Sequence, residues 1–171
     1  MIDSAIEAVE DLGRKVVLGE HKVAIERMNP QWKKRIAARK GGIEKIEKQL
    51  EGIGAMMARN GLSIISFKTI GAPKVHQVWP GEGSTAENPN YTKWLLLIPT
   101  VTQLRVMDTT GDRPQARIIN NYGFQVAIAE KEKLNWTFIS GTDVKVSDLR
   151  SMFTSLPANM ELPAVYREEV K

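Results

Sequence analysis

The stretch YTKWLLLIPTVTQLRV, from Tyr91 to Val106, constrains this chain more than any other. So apolar a run fits a membrane span, a buried helix or one long strand. It is far short of the roughly 20 apolar residues that a helix needs to cross a bilayer, and Lys93 and Arg105 lie inside it, so a membrane helix is excluded. On a strand, Trp94, Leu96, Ile98, Leu104 and Val106 share one face, with Thr100 and Thr102 between them. Pro99 lacks a ladder donor and is expected at a bulge or an edge, where a long strand bends.

The residues before this run carry helical spacing. Ser4 and Glu7 form a capping-box pattern that predicts a helix start, followed by a stripe of Ile6, Val9, Leu12 or Gly13, Val16 and Val17 that Gly19 ends. A short helix with Val23, Ile25 and Met28 should reach Asn29. Asn29-Pro30 is a cap followed by proline, which predicts a third helix with Trp32 and Ile36 on its buried side. After Gly41-Gly42, the stripe Ile43, Ile46, Leu50, Ile53 and Met57 predicts a fourth helix, stopped by Asn60-Gly61.

Beyond Gly61 the apolar period becomes two. Strands are expected from Ser63 to Ile70 and from Lys74 to Trp79, with Gly71-Ala72-Pro73 as a turn between them and PGEGSTAENPN as an exposed loop. After the turn DTTGDRP, Ile118, Tyr122, Phe124, Val126 and Ile128 alternate on one face, Asn120 being the polar exception. NWTFISG supplies a last strand with Trp136 and Phe138 on one face and Thr137 and Ile139 on the other. Ser147 should cap a short helix bearing Leu149, Met152 and Phe153, and SLPANMELP reads as a proline-broken tail. Helices followed by about five antiparallel strands predict an α+β fold, with the N-terminal helices in the concave face of a strongly curved sheet and a short C-terminal helix. One domain is expected over 1–156, and a tail over 157–171.

Composition removes whole classes of chemistry. A chain of 171 residues can bury a core without staples, and the absence of cysteine excludes thiol catalysis, disulfides and thiolate zinc sites. The net charge of +4 attracts nucleic acid only if the basic residues gather on one face. In WKKRIAARK, Trp32 to Lys40, they spread around a helix instead, so weak nucleic-acid binding there is a minor alternative. MIDSAIEAVEDLG has neither the basic nor the apolar segment of a leader.

At this point the chain resembles the nuclear transport factor 2-like superfamily, also called the ketosteroid-isomerase-like or cystatin-like cone fold. The residues that carry the likeness are the opening helix with LGEHKVAIERMNP, the long strands after the helices, and NWTFISG, similar to that family's closing strand. Together they span Ser4 to Gly141, although His21 stands where the family usually has an aromatic residue. The resemblance implies a cone whose mouth often holds a small apolar ligand or an active site, and whose sheet often pairs with another copy. Likeness to secreted bacterial cone proteins, with a helix starting almost at Met1, favours an exported protein shown without its leader.

Candidate sites follow from residue types. His76, in a strand beside Lys74 and Val78, is the candidate acid or base of an isomerase- or dehydratase-like alternative, yet the strands around it, Tyr91 to Val106 and Gln115 to Ala129, hold no Asp, Glu or His. His21, beside Glu20, either pairs with a carboxylate near Asp11 or packs at a helix start. Two histidines this far apart lack ligand spacing, so no metal and no cofactor is expected. Trp94, Thr100, Thr102, Asn120 and Tyr122 are the candidates for lining the cone around a small apolar ligand. Because Leu95, Leu97 and Val101 oppose Leu96 and Ile98, the sheet needs cover on both sides, which suggests a homodimer through the strand face. The expected function is binding of an apolar ligand or a protein partner, without chemistry of its own.

Overall fold

The computed structural model describes residues 1–39, 41–142 and 144–170, with the backbone alone at 49–51, 53, 54 and 56. Of the expected stripe in the fourth helix, Leu50 and Ile53 therefore lie outside the described side chains, as does Lys40 of the basic run. The fold is α+β: helices first, then an antiparallel six-stranded sheet, with a short helix late in the chain.

The first helix, α1 (Ile2–Val17), begins before the predicted cap. Met1 holds the cap position and no side chain closes it, so Ser4 and Glu7 sit inside the first turns. The Ser4 hydroxyl instead accepts the indole N–H of Trp136 at 2.8 Å. A four-residue helix, α2 (Val23–Glu26), stops short of Asn29. Asn29 caps α3 (Pro30–Ala37) as its sequence predicts, its Oδ1 accepting from Gln31 N at 3.1 Å and Trp32 N at 3.2 Å. Then α4 (Gly42–Arg59) runs to Gly61, whose φ of 63° releases the chain into the sheet.

The sheet is built around one ribbon. β3 (Tyr91–Asp108) has 18 residues and β4 (Gln115–Glu130) has 16, and they pair without a break from Lys93↔Glu130 to Asp108↔Gln115. On one side of the ribbon, β1 (Leu62–Thr69) and β2 (Lys74–Pro80) follow each other along β3. On the other, β5 (Thr137–Ser140) and β6 (Tyr166–Val170) follow each other along β4. Gly71-Ala72-Pro73 is thus a jog between two collinear strands, not a hairpin turn.

Pro99 makes neither the bulge nor the edge expected of it. Its partner Phe124 is in register, and its carbonyl accepts from Ile70 N at 2.9 Å, just before the jog. In an antiparallel strand a residue's N and O point to the same side, so the donor that proline lacks would face the gap between β1 and β2. The bulge lies in β1 instead, where the register shifts between Ile64 and Ser66. On the other side of the ribbon, Gly141 N donates to Phe124 O at 2.9 Å where β5 ends. Both outer lanes therefore break at the level of the Pro99–Phe124 pair, which divides the sheet into an inner and an outer half.

The inner half is covered on both faces by this chain. On one face, Leu95, Leu97, Phe124, Val126, Ile128 and Ile139 pack with Trp32 and Ile36 of α3 and with Leu149, Met152, Phe153 and Leu156. On the other, Leu96, Ile98, Ala127, Ala129, Trp136 and Phe138 pack with Ala5, Val9 and Leu12 of α1 and with Val23. The second layer that Leu95 and Leu97 require thus comes from within the chain. The alternation of Trp136 and Phe138 against Ile139 is as expected.

Residues after Ser140 leave the sheet for α5 (Val146–Met152) and return. Ser147 lies inside α5. Lys145 is its cap, and its backbone N–H donates to the Asp148 carboxylate at 2.9 Å. The segment expected as a tail packs Met160 and Leu162 onto the core and ends as β6, paired from Tyr122↔Tyr166 to Ile118↔Val170.

Candidate functional site

The outer half of the sheet, residues 100–108 of β3 and 115–123 of β4 with β1 and β6 beside them, differs in character from the inner half. Thr100 is the only fully buried residue of that ribbon segment, and Leu104, Val106, Ile118 and Ile119 are half-buried and belong to neither core among the described residues. Strands of this length reach about 60 Å at roughly 3.3 Å per residue, and α1 and α4 meet the outer half along β1. Apolar side chains remain at the surface there, among them Ile65, Tyr166 and Val170, which are 44%, 51% and 43% exposed.

The five residues expected to line one cavity do not converge. Residues directly opposite in an antiparallel pair share a face, and Trp94 pairs with Ala129, Thr100 with Gly123 and Thr102 with Asn121, whereas Asn120 pairs with Gln103 and Tyr122 with Val101. Trp94, Thr100 and Thr102 therefore lie on one face, and Asn120 and Tyr122 on the other. Trp94 packs beside the α1 core with the Lys131 ammonium 4.5 Å from its ring centroid. Thr100 is buried close to Gly123, and Thr102 is half-buried. On the other face, Asn120 Oδ1 accepts from Gln103 Nε2 at 3.3 Å, and Tyr122 stacks on Tyr166 with centroids 4.5 Å apart.

His76 lies in β2 opposite Leu95, half-buried between Lys74 and the buried Val78. Burial, and then the charge of Lys74, lower its pKa below the usual value of 6.5, so it is a neutral imidazole at neutral pH. Among the described residues no carboxylate bonds to it, and no cluster of His, Asp and Glu could hold a metal ion. Nor does His21 reach Asp11: that carboxylate is held by Arg14 at 3.2 Å, Lys15 at 3.3 Å and Arg27 at 3.9 Å.

The basic helix is partly committed to structure. Trp32 and Ile36 are buried, and Arg39 lies 5.0 Å from the centre of the Trp32 ring with its other contact on Asp148 at 3.9 Å. Lys33, Lys34 and Arg35 are consecutive, so they point in three directions around the helix.

Two features escaped the sequence reading. Trp79 is 41% exposed with φ of 65°, a left-handed conformation that is strained for so bulky a residue; its ring meets Phe153 edge-on and carries the Lys93 ammonium 4.6 Å from its centroid. The only signal was its place before Pro80. The other is β6, whose spacing of Tyr166, Glu168 and Val170 is too short a pattern to announce a strand.

No family model, curated protein or solved structure matches this chain. No described helix is long and apolar enough to cross a membrane.

Proposed function

We propose that this chain is a non-catalytic binding domain that engages a protein partner through its sheet, with the outer half as the docking surface. One observation carries the reading: the ribbon of β3 and β4 continues past both cores and presents apolar residues there that are half-buried, with Tyr166 and Val170 of the adjoining β6 exposed. Exposed apolar residues gathered at one end of a sheet are a mark of protein contact, and here they lie on both faces of that end, with Ile118, Tyr122, Tyr166 and Val170 together on one of them. The alternative of a small apolar ligand in a cone has less support, because its five candidate residues are divided between opposite faces of one sheet. The isomerase-like alternative rests on a half-buried histidine with a basic neighbour and no acidic partner among the described residues. The likeness to the nuclear transport factor 2-like cone is part of the same proposal. Helices that precede long paired strands, and the burial of Trp136 and Phe138 in the closing strand, support it.

A photo-crosslinking amino acid placed in turn at Ile65, Tyr166 and Val75 tests the reading in cells. All three positions are exposed, but Val75 lies in β2 opposite Leu96, in the inner half of the sheet. Protein adducts from Ile65 and Tyr166, with none from Val75, are expected. Adducts from Val75 alone, or a tightly retained small molecule in the purified protein, overturn it.

A further inference from the structure

The outer lanes of the sheet present four edges, and three are guarded. β1 carries its bulge at Ile64/Ser66 and an exposed Lys68. β2 starts after Pro73 with an exposed Lys74 and ends on Pro80. The edge of β5 is occupied: Asn29 N donates to Phe138 O at 2.9 Å, and Phe138 N donates to Arg27 O at 2.8 Å. Bulges, prolines, covering segments, short strands and charged side chains are the devices by which edge strands avoid pairing with other chains. β6 is short and carries Arg167, Glu168 and Glu169, but among the described residues it has no bulge, proline or covering segment. Its five residues, Tyr166–Val170, are all exposed, and among the described residues its outer edge makes no backbone hydrogen bond.

The sequence of that open strand complements itself. We propose that β6 pairs antiparallel with β6 of a second copy, about a twofold axis normal to the sheet at Glu168, joining two sheets edge to edge. Such an axis keeps like faces on the same side. Arg167 then stands opposite Glu169 of the second copy, twice, on the face where Glu169 already lies 3.9 Å from Arg117. Tyr166 stands opposite Val170 of the second copy, also twice, on the face where Tyr166 stacks on Tyr122, so the exposed rings and valines cover one another. Shifting the register by two residues either way loses both ion pairs and sets Arg167 against Arg167 or Glu169 against Glu169. At the chosen register only Glu168 meets a like charge. So short a strand buries less than a standard interface, so the dimer is a weak, concentration-dependent one.

This inference rests on the sheet being the docking surface, and narrows the partner to a second copy and the surface to one edge. The chain has no cysteine, which makes single-cysteine variants clean probes. Under mild oxidation Glu168→Cys should form a disulfide-linked dimer, since opposite Cα atoms lie about 4.5–5.5 Å apart, within disulfide reach. Arg167→Cys and Glu169→Cys place identical residues on the diagonal, about 7–8 Å apart, and should stay largely unlinked. In sedimentation equilibrium up to about 1 mM, Arg167→Glu should weaken association about tenfold and Glu168→Gln should tighten it. Circular dichroism would check that each variant folds. A strictly monomeric wild type, equal linking at all three positions, or an unchanged constant for Arg167→Glu overturns the edge dimer. Crosslinks from Tyr166 to a different protein, with the purified chain monomeric, would sink the dimer while leaving the wider partner reading in place.

Discussion

Trp136 and Ser4, 132 residues apart in sequence, are joined by a hydrogen bond of 2.8 Å from the indole N–H to the serine hydroxyl. It fixes the start of α1 against the strand end that leads into β5, beside a tryptophan that is 5% exposed. Ser4→Ala leaves that donor without its partner and should cost about 1–2 kcal/mol in chemical denaturation. Glu7→Gln should change stability by less than about 0.5 kcal/mol, because no side chain caps this helix. A larger loss from Glu7→Gln than from Ser4→Ala would restore the capping box.

Asn29 performs two tasks with one side chain. While its Oδ1 caps α3, its Nδ2 donates to Thr137 Oγ1 at 3.2 Å, and the residue is buried. Asn29→Ala should therefore cost about 2 kcal/mol, at the upper end for a cap. Asn29→Asp keeps the cap but loses the second bond, so it should fall between wild type and alanine at pH 7. An aspartate variant less stable than the alanine one would refute this division.

Gly141 sits where β5 ends, and a Cβ there would lie 2.5 Å from the backbone oxygen of Phe124. Backbone cannot swing aside as a side chain can. Gly141→Ala is expected to destabilise by about 2–3 kcal/mol. A melting temperature within a degree of wild type would show that the level at which the outer lanes break tolerates movement.

His76 makes stability depend on pH in a defined direction. Its folded-state pKa is depressed below 6.5, so the unfolded chain binds the proton more readily. Its contribution is complete above pH 6.5, is lost as pH falls through the folded-state value, and then levels. Denaturation midpoints should decline over that window in wild type and less so in His76→Gln, and Lys74→Gln should raise the histidine's pKa in an NMR titration. Equal slopes for wild type and His76→Gln would remove the effect.

What the sequence determines by itself is what neighbours along the chain can enforce. Asn29 caps its own helix, Gly61 turns the chain, and the alternation from Tyr91 onward makes strands whose two faces are both apolar, because each depends on residues a few positions away. Pairing across the ribbon is different. The register of β3 on β4 sets Trp94, Thr100 and Thr102 on one face and Asn120 and Tyr122 on the other, a matter of parity that neither strand contains alone. Ser4 reads as a cap until Trp136 arrives to claim its hydroxyl. β6 is the clearest case: five mixed residues with little strand signal become a strand because β4 extends past the core and offers unpaired backbone groups, and a hydrogen-bond ladder rewards whichever segment the fold brings beside it.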